Sequence, residues 1–489
     1  MVTVTALVRL EVLFAALVCL APSHAAVLPK GSDLEVRLVH RIGSGVSRVG
    51  EAVEATIITP VLDQDMILVP AGATVSGAVE QVNRLGLGLR HTAARLDLKF
   101  TQLHLPDRTV VPIHARLSSV EEARELVTDT GAVIGIHPGA SFSTGVSGLF
   151  TLLLFGEPEL RIPVLAFKFL AARSPDAEIT FPAGTEMLLR LTQNLELKNP
   201  ASYQPILPLL PRSQGDYLQR MLTALPQQQT TGGDKRPSDL INIVLLGSQQ
   251  AIERAFRAAG WSGTEPHGVM ALYHMYHCVV QRVAYSTAPM TNLKFNGNPP
   301  DAAFQKSLNT FAKRHHIRLW HGEESNVWLG ATTEDIKYKF RGRGLTHDTD
   351  RYIDNERAKV VNDLVFTGCI DRGALLPRPS LNSVQGGAQS ILTDGDVAVL
   401  KLNACDNPPP MPSDPQTPAR VRTVRAALAV SEDITRSNPV TVGYAITKSM
   451  LDSSKARPKV SAQEPGTHTR AIAIASGSAA TSASVMSLR

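Results

Sequence analysis

A local pattern that occurs three times in the first half of the chain constrains its fold most. An apolar residue, a proline, any residue, a glycine and a small residue follow one another at 28–32, 69–73 and 181–185. Proline fixes φ for a turn, and glycine can take the positive φ that lets the next strand begin. Alternating apolar residues follow, as from Leu34 onward, and place every second side chain on one face. We therefore predict a β-rich barrel or sandwich at 27–200.

The second patterned region mixes helices and strands. The run Ile241–Leu246 is apolar and β-branched, which is typical of a buried strand. Ser248 is suited to cap the helix that follows, and Gly260 is suited to end it. Further alternating runs and a helix that begins near Asp354 come later in the sequence. This order predicts an α+β domain at 237–405.

Length and composition indicate the remaining boundaries. The 489 residues provide room for about two or three domains, and 43% hydrophobic residues suffice for ordinary cores. Residues 201–236 hold prolines, a glutamine run and a glycine pair, so we predict a linker there. Residues 406–489 are rich in Pro, Ser and Ala, and we expect a largely disordered tail with a short helix at about 420–432.

Residues 1–25 have the layout of a secretory signal peptide. Arg9 precedes an apolar core at 12–21, Pro22 ends that core, and Ser23 and Ala25 provide small side chains three and one positions before a cut after Ala25. The apolar core is too short to span a bilayer comfortably. We predict an exported protein of the periplasm or cell envelope, with an uncleaved anchor as the alternative.

An apolar, Gly-rich insertion at 131–171 interrupts the β-rich domain. It contains no Asp, Glu, Lys or Arg between Gly131 and Gly156, and a second apolar stretch follows at 162–171. Three interpretations stay open, namely a membrane-dipping hairpin, a subunit interface and a flexible buried insertion. The expected partners are therefore envelope or membrane proteins, or further copies of this chain in a homo-oligomer.

The charge of the chain argues against nucleic acid as a partner. The formal net charge is only +5 over 489 residues, and the basic residues are scattered along the sequence. Nucleic-acid binding proteins concentrate basic residues in a stripe or patch. We therefore predict no nucleic-acid partner.

The cysteines and nearby histidines suggest two hypotheses about sites. Cys369 and Cys405 each follow a predicted element near the end of the same domain, so a disulfide between them is a hypothesis for an oxidising compartment. His274, His277 and Cys278 stand at helical spacing and could ligate zinc or copper. No fourth ligand is near in sequence, so we predict no cofactor and keep a divalent metal as the alternative.

Several polar residues of the second domain could converge at strand ends. In the run 314–320, alternation places His316, Arg318 and Trp320 on one face. Histidine and carboxylates together can bind a divalent cation or transfer protons, whereas a buried polar network is the structural alternative. The candidate cluster comprises His316, Arg318, Asp335, His347, Asp354 and Glu356.

Residues 240–402 resemble the LssY C-terminal domain family. The resemblance is carried by the segments 314–320, 327–331, 345–347 and 354–357. The family occurs in bacterial proteins named as secretion components, which implies a role in the envelope. The chain departs from the family pattern at His347, where Asp348 follows in place of a second histidine.

The short Pro-x-Gly motifs of residues 27–200 are similar to those in the β-barrel of TrbI-type conjugal-transfer channel proteins. Such turns also recur in unrelated β-barrels, so this alternative stays open.

Two functional hypotheses follow. The first is a non-enzymatic envelope protein, membrane-associated or periplasmic, that acts in assembly, secretion or binding of a partner. The alternative is a metal-dependent or His/carboxylate-dependent hydrolase in the envelope. The sequence contains no G-x-S-x-G, H-E-x-x-H or C-x-x-C motif, so it indicates no reaction class.

Overall fold

The computed structural model describes most of both domains. The described residues are 25–63, 66–88, 90–137, 162–163, 175–198, 207–226, 228–231, 237–291, 293–341, 344–380, 385–386, 389–416, 418–436, 438–453 and 472. The predicted leader up to residue 24, most of the insertion at 131–171 and nearly all of the tail after residue 453 lie outside the described residues.

The first domain consists of short strands. They are β1 (Ala25–Leu28), β2 (Asp33–Leu38), β3 (Ile42–Gly43), β4 (Ala52–Ile57), β5 (Val61–Asp63), β6 (Met66–Val69), β7 (Thr74–Asn83), β8 (Arg95–His104), β9 (Val110–Val120), β10 (Leu126–Val127), β11 (Ala132–Ile134), β12 (Thr180–Phe181), β13 (Glu186–Leu191) and β14 (Leu195–Lys198).

Six of these strands close into an antiparallel barrel. The order is β8, β7, β4, β2, β13 and β9, and β9 pairs back onto β8. Alternating residues such as Leu34 and Val36 fill the interior. The glycines of the three predicted turns, Gly31, Gly72 and Gly184, have φ of 94°, 91° and 88°. The predicted barrel is confirmed, because these turns form as the sequence indicates.

The second domain contains strands and helices. They are α1 (Arg212–Ala224), β15 (Gln228–Thr231), β16 (Pro237–Leu240), β17 (Ile243–Leu246), α2 (Gln249–Ala258), β18 (Ser262–Gly263), α3 (Val269–Gln281), β19 (Leu293–Lys294), β20 (Ala302–Lys306), β21 (Arg314–His321), β22 (Val327–Arg341), β23 (Gly344–Thr349), α4 (Ile353–Phe366), β24 (Ile370–Pro377), β25 (Gln385–Gly386), β26 (Gln389–Ser390) and β27 (Asp396–Leu402).

A mixed sheet forms the centre of this domain. Its order is β18, β20, β21, β22, β17, β27 and β24, and β23 pairs with β22. The strands β17 and β27 are parallel, and the other pairs are antiparallel. Ile243 and Leu245 pack with α2 and α4 on one face, whereas Val244 and Leu246 pack with α1 on the other. The predicted α+β domain is confirmed, and burial on both faces explains the continuous apolar run of β17.

The region predicted to be a linker contains a helix. Leu218 and Leu222 of α1 are buried against the sheet, and β15 pairs with β16 and β19. The structure therefore differs from a linker at 201–236, because two leucines one helical turn apart give α1 an apolar stripe that packs on the domain.

The described part of the tail contains two helices, α5 (Ala419–Arg436) and α6 (Pro439–Ser453). The first includes the predicted short helix and extends past it. Before α5, Asp414 accepts a hydrogen bond of 3.0 Å from Arg41 Nε of the barrel. This part of the tail thus contacts the first domain.

A disulfide joins Cys369 to Cys405, with their Cα atoms 4.7 Å apart. It links the segment that follows α4 to the segment that follows β27. Among the described residues, no helix combines the length and apolar character needed to cross a membrane.

Candidate functional site

The structure divides the predicted polar cluster between two faces of the sheet. In the register of β21 and β22, Arg314 lies opposite Asp335, and His315 lies opposite Glu334. Opposed residues of an antiparallel pair share a face, and adjacent residues do not. His316 therefore faces the side of Asp335, whereas His315 faces α4 on the other side.

The first face holds the Asp335 cluster, which we define as Arg314, His316, Asp335 and His347. Arg314 Nε donates to Asp335 Oδ2 at 2.8 Å, and His316 Nε2 lies 3.3 Å from Asp335 Oδ1. His347 Nδ1 is 3.8 Å from Asp335 Oδ2. The structure thus brings together three of the predicted residues, and all but His347 are almost completely buried.

The charges of the Asp335 cluster offset one another. Burial alone would raise the pKa of Asp335, but His316, Arg314 and His347 together hold it well below its ordinary value. Burial is the main cause that lowers the pKa of His347. Asp335 is therefore a stable carboxylate, which does not suit a general acid at neutral pH.

Arg318 connects the Asp335 cluster to a cleft. Its Nη1 donates to Asp239 Oδ2 at 3.0 Å and lies 3.4 Å from His316 Nδ1. Arg318 also lines a polar cleft of about 780 Å³ whose wall includes Glu265 and His267. Arg318 therefore contacts the buried cluster through His316 and also lines this cleft.

Asp354 and Glu356 do not join His316, although the sequence placed them in one candidate cluster. Asp354 lies in the first turn of α4, where it accepts hydrogen bonds from Thr393 Oγ1 and Asp394 N. It is not the N-cap residue, since that position belongs to Tyr352. Glu356 points to the opposite face of the sheet, where it lies 2.6 Å from His315 Nδ1.

A second polar group occupies that opposite face. We call it the carboxylate cluster and define it as Glu121, Glu122, His315, Glu334 and Glu356. Glu121 and Glu122 come from the loop after β9 of the barrel, and the other three residues come from the second domain.

Glu122 and His315 hold the centre of the carboxylate cluster. Glu122 Oε1 accepts from the backbone N–H of His315 at 3.1 Å, and its Oε2 accepts from that of Leu308. His315 Nε2 lies 3.3 Å from Glu121 Oε1. The side chains of His315 and Glu122 are fully buried.

The electrostatics of this cluster are unusual. Burial raises the pKa of Glu122 well above its ordinary value; His315 opposes the rise, and Glu121 and Glu334 add to it. Burial alone would lower the pKa of His315, but Glu356, Glu121 and Glu334 raise it well above its ordinary value. Several carboxylates thus stabilise the protonated form of the same imidazole.

The ligand atoms of this cluster are close enough to share a metal ion. One ligand atom from each of His315, Glu334 and Glu356 lies within 4.8 Å of the others, and no other such group of three occurs among the described residues.

The trio suggested by the sequence does not converge. His274 Nδ1 lies 3.4 Å from Glu265 Oε1, whereas His277 stands beside the ring of Tyr273. The Cys278 thiol is buried and donates to the carbonyl of Ala284.

A third polar group, the ion cluster, lies at the same junction of the two domains. Glu186 of the barrel accepts from Arg37 Nη2 and from Lys306 Nζ, each at 2.7 Å. Asp363 of α4 accepts from Lys306 Nζ at 2.9 Å and from Lys359 Nζ at 2.7 Å. All five side chains are almost completely buried.

No local sequence pattern predicts these contacts between the two domains. Glu121, Glu122 and Glu186 lie in or beside barrel strands, far along the chain from their partners. Only a pair of adjacent acidic residues directly after an alternating strand, at 121–122, hinted at a special loop. Glu122 indeed adopts a φ of 51°, a left-handed conformation that non-glycine residues rarely take.

Residues 221–397 match the family model of the LssY C-terminus. This match confirms the resemblance predicted for the second domain and begins earlier, within α1. No curated protein matches the chain.

Among solved structures, the chain is similar to ComB10 of the Com type IV secretion system of Helicobacter pylori, at 12% identity and a TM-score of 0.20. That similarity covers 34% of this chain and 88% of ComB10, and it is too weak to support a conclusion about fold or function.

Proposed function

We propose that this protein is an exported component of the cell envelope in which the LssY-like domain binds or assembles with a partner and catalyses no reaction. The leader pattern at 1–25 and the match at 221–397 support the location. The Cys369–Cys405 disulfide supports it too, because disulfides persist in oxidising compartments such as the periplasm.

The observation that carries the non-enzymatic role is the burial of the predicted catalytic side chains. Asp335 bonds to His316 and to Arg314 inside the protein, and the side chains of His316 and Asp335 are each 5% exposed. A group that must exchange protons with a substrate has to reach it, directly or through one water. The cluster therefore acts as a polar network that fixes β21 to β22 and β23.

The test is fractionation of cells that produce the full chain, with N-terminal sequencing of the product and in-cell cross-linking. We expect a mature protein that begins after Ala25, in the periplasmic or membrane fraction, cross-linked to envelope proteins or to itself. An untrimmed chain in the cytosol, or an exported monomer without cross-links, would contradict the proposal.

A hydrolase is the second candidate function, and the cleft beside Arg318 favours it. Arg318 links His316 to a recess of about 780 Å³, so a substrate in the cleft would lie near the network. The test is turnover of a panel of phosphate and carboxylate esters by the wild type and by a His316→Ala/His347→Ala variant.

The control variant for this test is His137→Ala, since His137 is exposed on the barrel and bonds to Thr92. Turnover that the double variant loses and the control keeps would establish the hydrolase and overturn the non-enzymatic role. Absence of turnover in the wild type and in both variants would contradict the hydrolase hypothesis.

A further inference from the structure

We propose that His315, Glu334 and Glu356 bind a divalent metal ion at the junction of the barrel and the second domain, with Glu122 beside them. This site differs from the Asp335 cluster and from the His274, His277 and Cys278 trio. It does not depend on whether the protein is a scaffold or a hydrolase.

The first argument is distance. Ligand atoms at about 2.1 Å from a tetrahedral ion lie about 3.4 Å from one another. The chosen atoms of His315, Glu334 and Glu356 all lie within 4.8 Å of one another, so small side-chain rotations would bring them to an ion. His315 and Glu356 are anchored on β21 and α4, which are regular elements that hold their side chains in place.

The second argument is the hydrogen bonding of buried atoms. Glu356 Oε1 is buried and makes no hydrogen bond among the described residues, and His315 Nε2, which lies 3.3 Å from Glu121 Oε1, lacks hydrogen-bond geometry there. Buried carboxylate and imidazole atoms without good hydrogen bonds are costly. A cation would satisfy these atoms, because both are lone-pair donors when the imidazole is neutral.

The third argument is charge. Four carboxylates surround one imidazole, and within the described residues the ion pairs of Glu122 and Glu356 are with His315. Glu122 and Glu356 are the fully buried carboxylates of this group, and burying two like charges beside one imidazole is unfavourable unless a cation or protons neutralise them. A divalent ion supplies two positive charges where the carboxylates converge.

The ligand chemistry narrows the choice of ion. Carboxylate oxygens with one imidazole suit Zn²⁺ or Mn²⁺, because hard ions such as Mg²⁺ and Ca²⁺ prefer all-oxygen sites.

The location gives the ion a structural consequence. Glu121 and Glu122 belong to the barrel, and the three ligands belong to the second domain. Glu122 also accepts the backbone N–H groups of His315 and Leu308 across the junction. A bound ion would therefore fix the positions of the three ligand residues, next to the segment that Glu122 of the barrel contacts. Its removal would weaken the contact between the two domains.

The experiment uses the full-length protein after treatment with a chelator. Zn²⁺, Mn²⁺, Mg²⁺ and Ca²⁺ are titrated separately by calorimetry, and thermal unfolding is followed with and without each ion. We expect one Zn²⁺ or Mn²⁺ per chain, binding at micromolar or lower concentration, with a higher unfolding temperature in its presence. No binding of any of the four ions would overturn the proposal.

Variants then locate the site. We expect Glu356→Gln and Glu334→Gln to weaken binding at least tenfold, because each keeps the shape of the side chain and removes its charge. A matched control is the double variant His274→Ala/Glu265→Gln, which removes a partly exposed His–Glu pair of the same domain. Unchanged affinity in both ligand variants, or loss of binding in the control alone, would contradict the assignment.

A spectroscopic measurement on the wild type tests the role of His315 even if the variants fail to fold. Electron spin echo spectra of Mn²⁺ bound to the wild type should show coupling to an imidazole nitrogen. Absence of that coupling in a stoichiometric Mn²⁺ complex would overturn the role of His315 whatever the variants do.

Discussion

The ion cluster and the carboxylate cluster lie at the same junction of the two domains and differ in their balance of charge. In the ion cluster, three cations meet two carboxylates: Arg37, Lys306 and Lys359 pair with Glu186 and Asp363. In the carboxylate cluster, four carboxylates meet one imidazole.

The difference shows in the pKa values. Burial would raise the pKa of Glu186, but Lys306, Lys359 and Arg37 lower it well below its ordinary value. Burial raises the pKa of Glu122, and His315 does not reverse the rise. In the ion cluster buried cations stabilise Glu186 as an anion, whereas in the carboxylate cluster burial favours the protonated form of Glu122.

The difference between the two clusters is tested most directly by removing Glu186, the central carboxylate of the ion cluster. Glu186→Ala removes one of the two carboxylates of the ion cluster beside three buried cations, and breaking a buried ion pair in this way costs about 3–5 kcal/mol. We expect the free energy of unfolding to fall by this amount in urea titrations at pH 7.

The control for this prediction is Arg190→Ala. Arg190 lies on the same strand as Glu186 and pairs with Asp33, and its side chain is 37% exposed. Pairs that are partly open to solvent contribute less than buried ones, so the control should lose clearly less stability than Glu186→Ala. Equal losses in the two variants would mean that burial of the ion cluster has no special effect.

The barrel could be predicted from sequence because its signals are local. Gly31, Gly72 and Gly184 each take the positive φ that the turn pattern requires, and the following strands alternate as expected. Strand alternation also placed His316 and Arg318 on one face, which agrees with their contacts in the structure.

The candidate site could be predicted only in part, because its contacts are not local. Glu122 and His315 are 193 positions apart along the chain, and no spacing rule brings them together. The prediction grouped Glu356 with His316, whereas Glu356 belongs with His315 on the other face. One residue of register decides which histidine faces α4, and the sequence alone does not show where α4 packs.

The second prediction compares the clusters by pH. The pKa of Glu186 in the folded protein lies below the ordinary value of 4.5, because of Lys306, Lys359 and Arg37. Its contribution to stability is therefore complete above pH 4.5 and is lost as the pH falls toward the lowered pKa. Asp363 behaves in the same way below its ordinary value of 3.8.

The measurement is the free energy of unfolding between pH 7 and pH 3 for the wild type and for Glu186→Gln. We expect the wild type to lose more stability over this interval, by on the order of 1–3 kcal/mol, because the amide does not titrate. Parallel curves for the two proteins would show that the ion cluster does not set the acid sensitivity.

The third prediction concerns Glu122 of the carboxylate cluster, where we expect the smallest change in stability. Glu122→Gln in the metal-free protein replaces a carboxyl group whose pKa burial raises well above its ordinary value, and the amide oxygen can still accept from one of the backbone N–H groups of Leu308 and His315. Lost charge-assisted bonding and relieved repulsion then nearly offset each other, so we expect a change of less than about 1 kcal/mol at pH 7. The measurement is a urea titration in chelator beside Glu186→Gln, which should be destabilised clearly because its carboxylate is matched by cations. If Glu122→Gln lost as much stability as Glu186→Gln, the ionised Glu122 would be as well compensated as Glu186, and the contrast between the two clusters would fail.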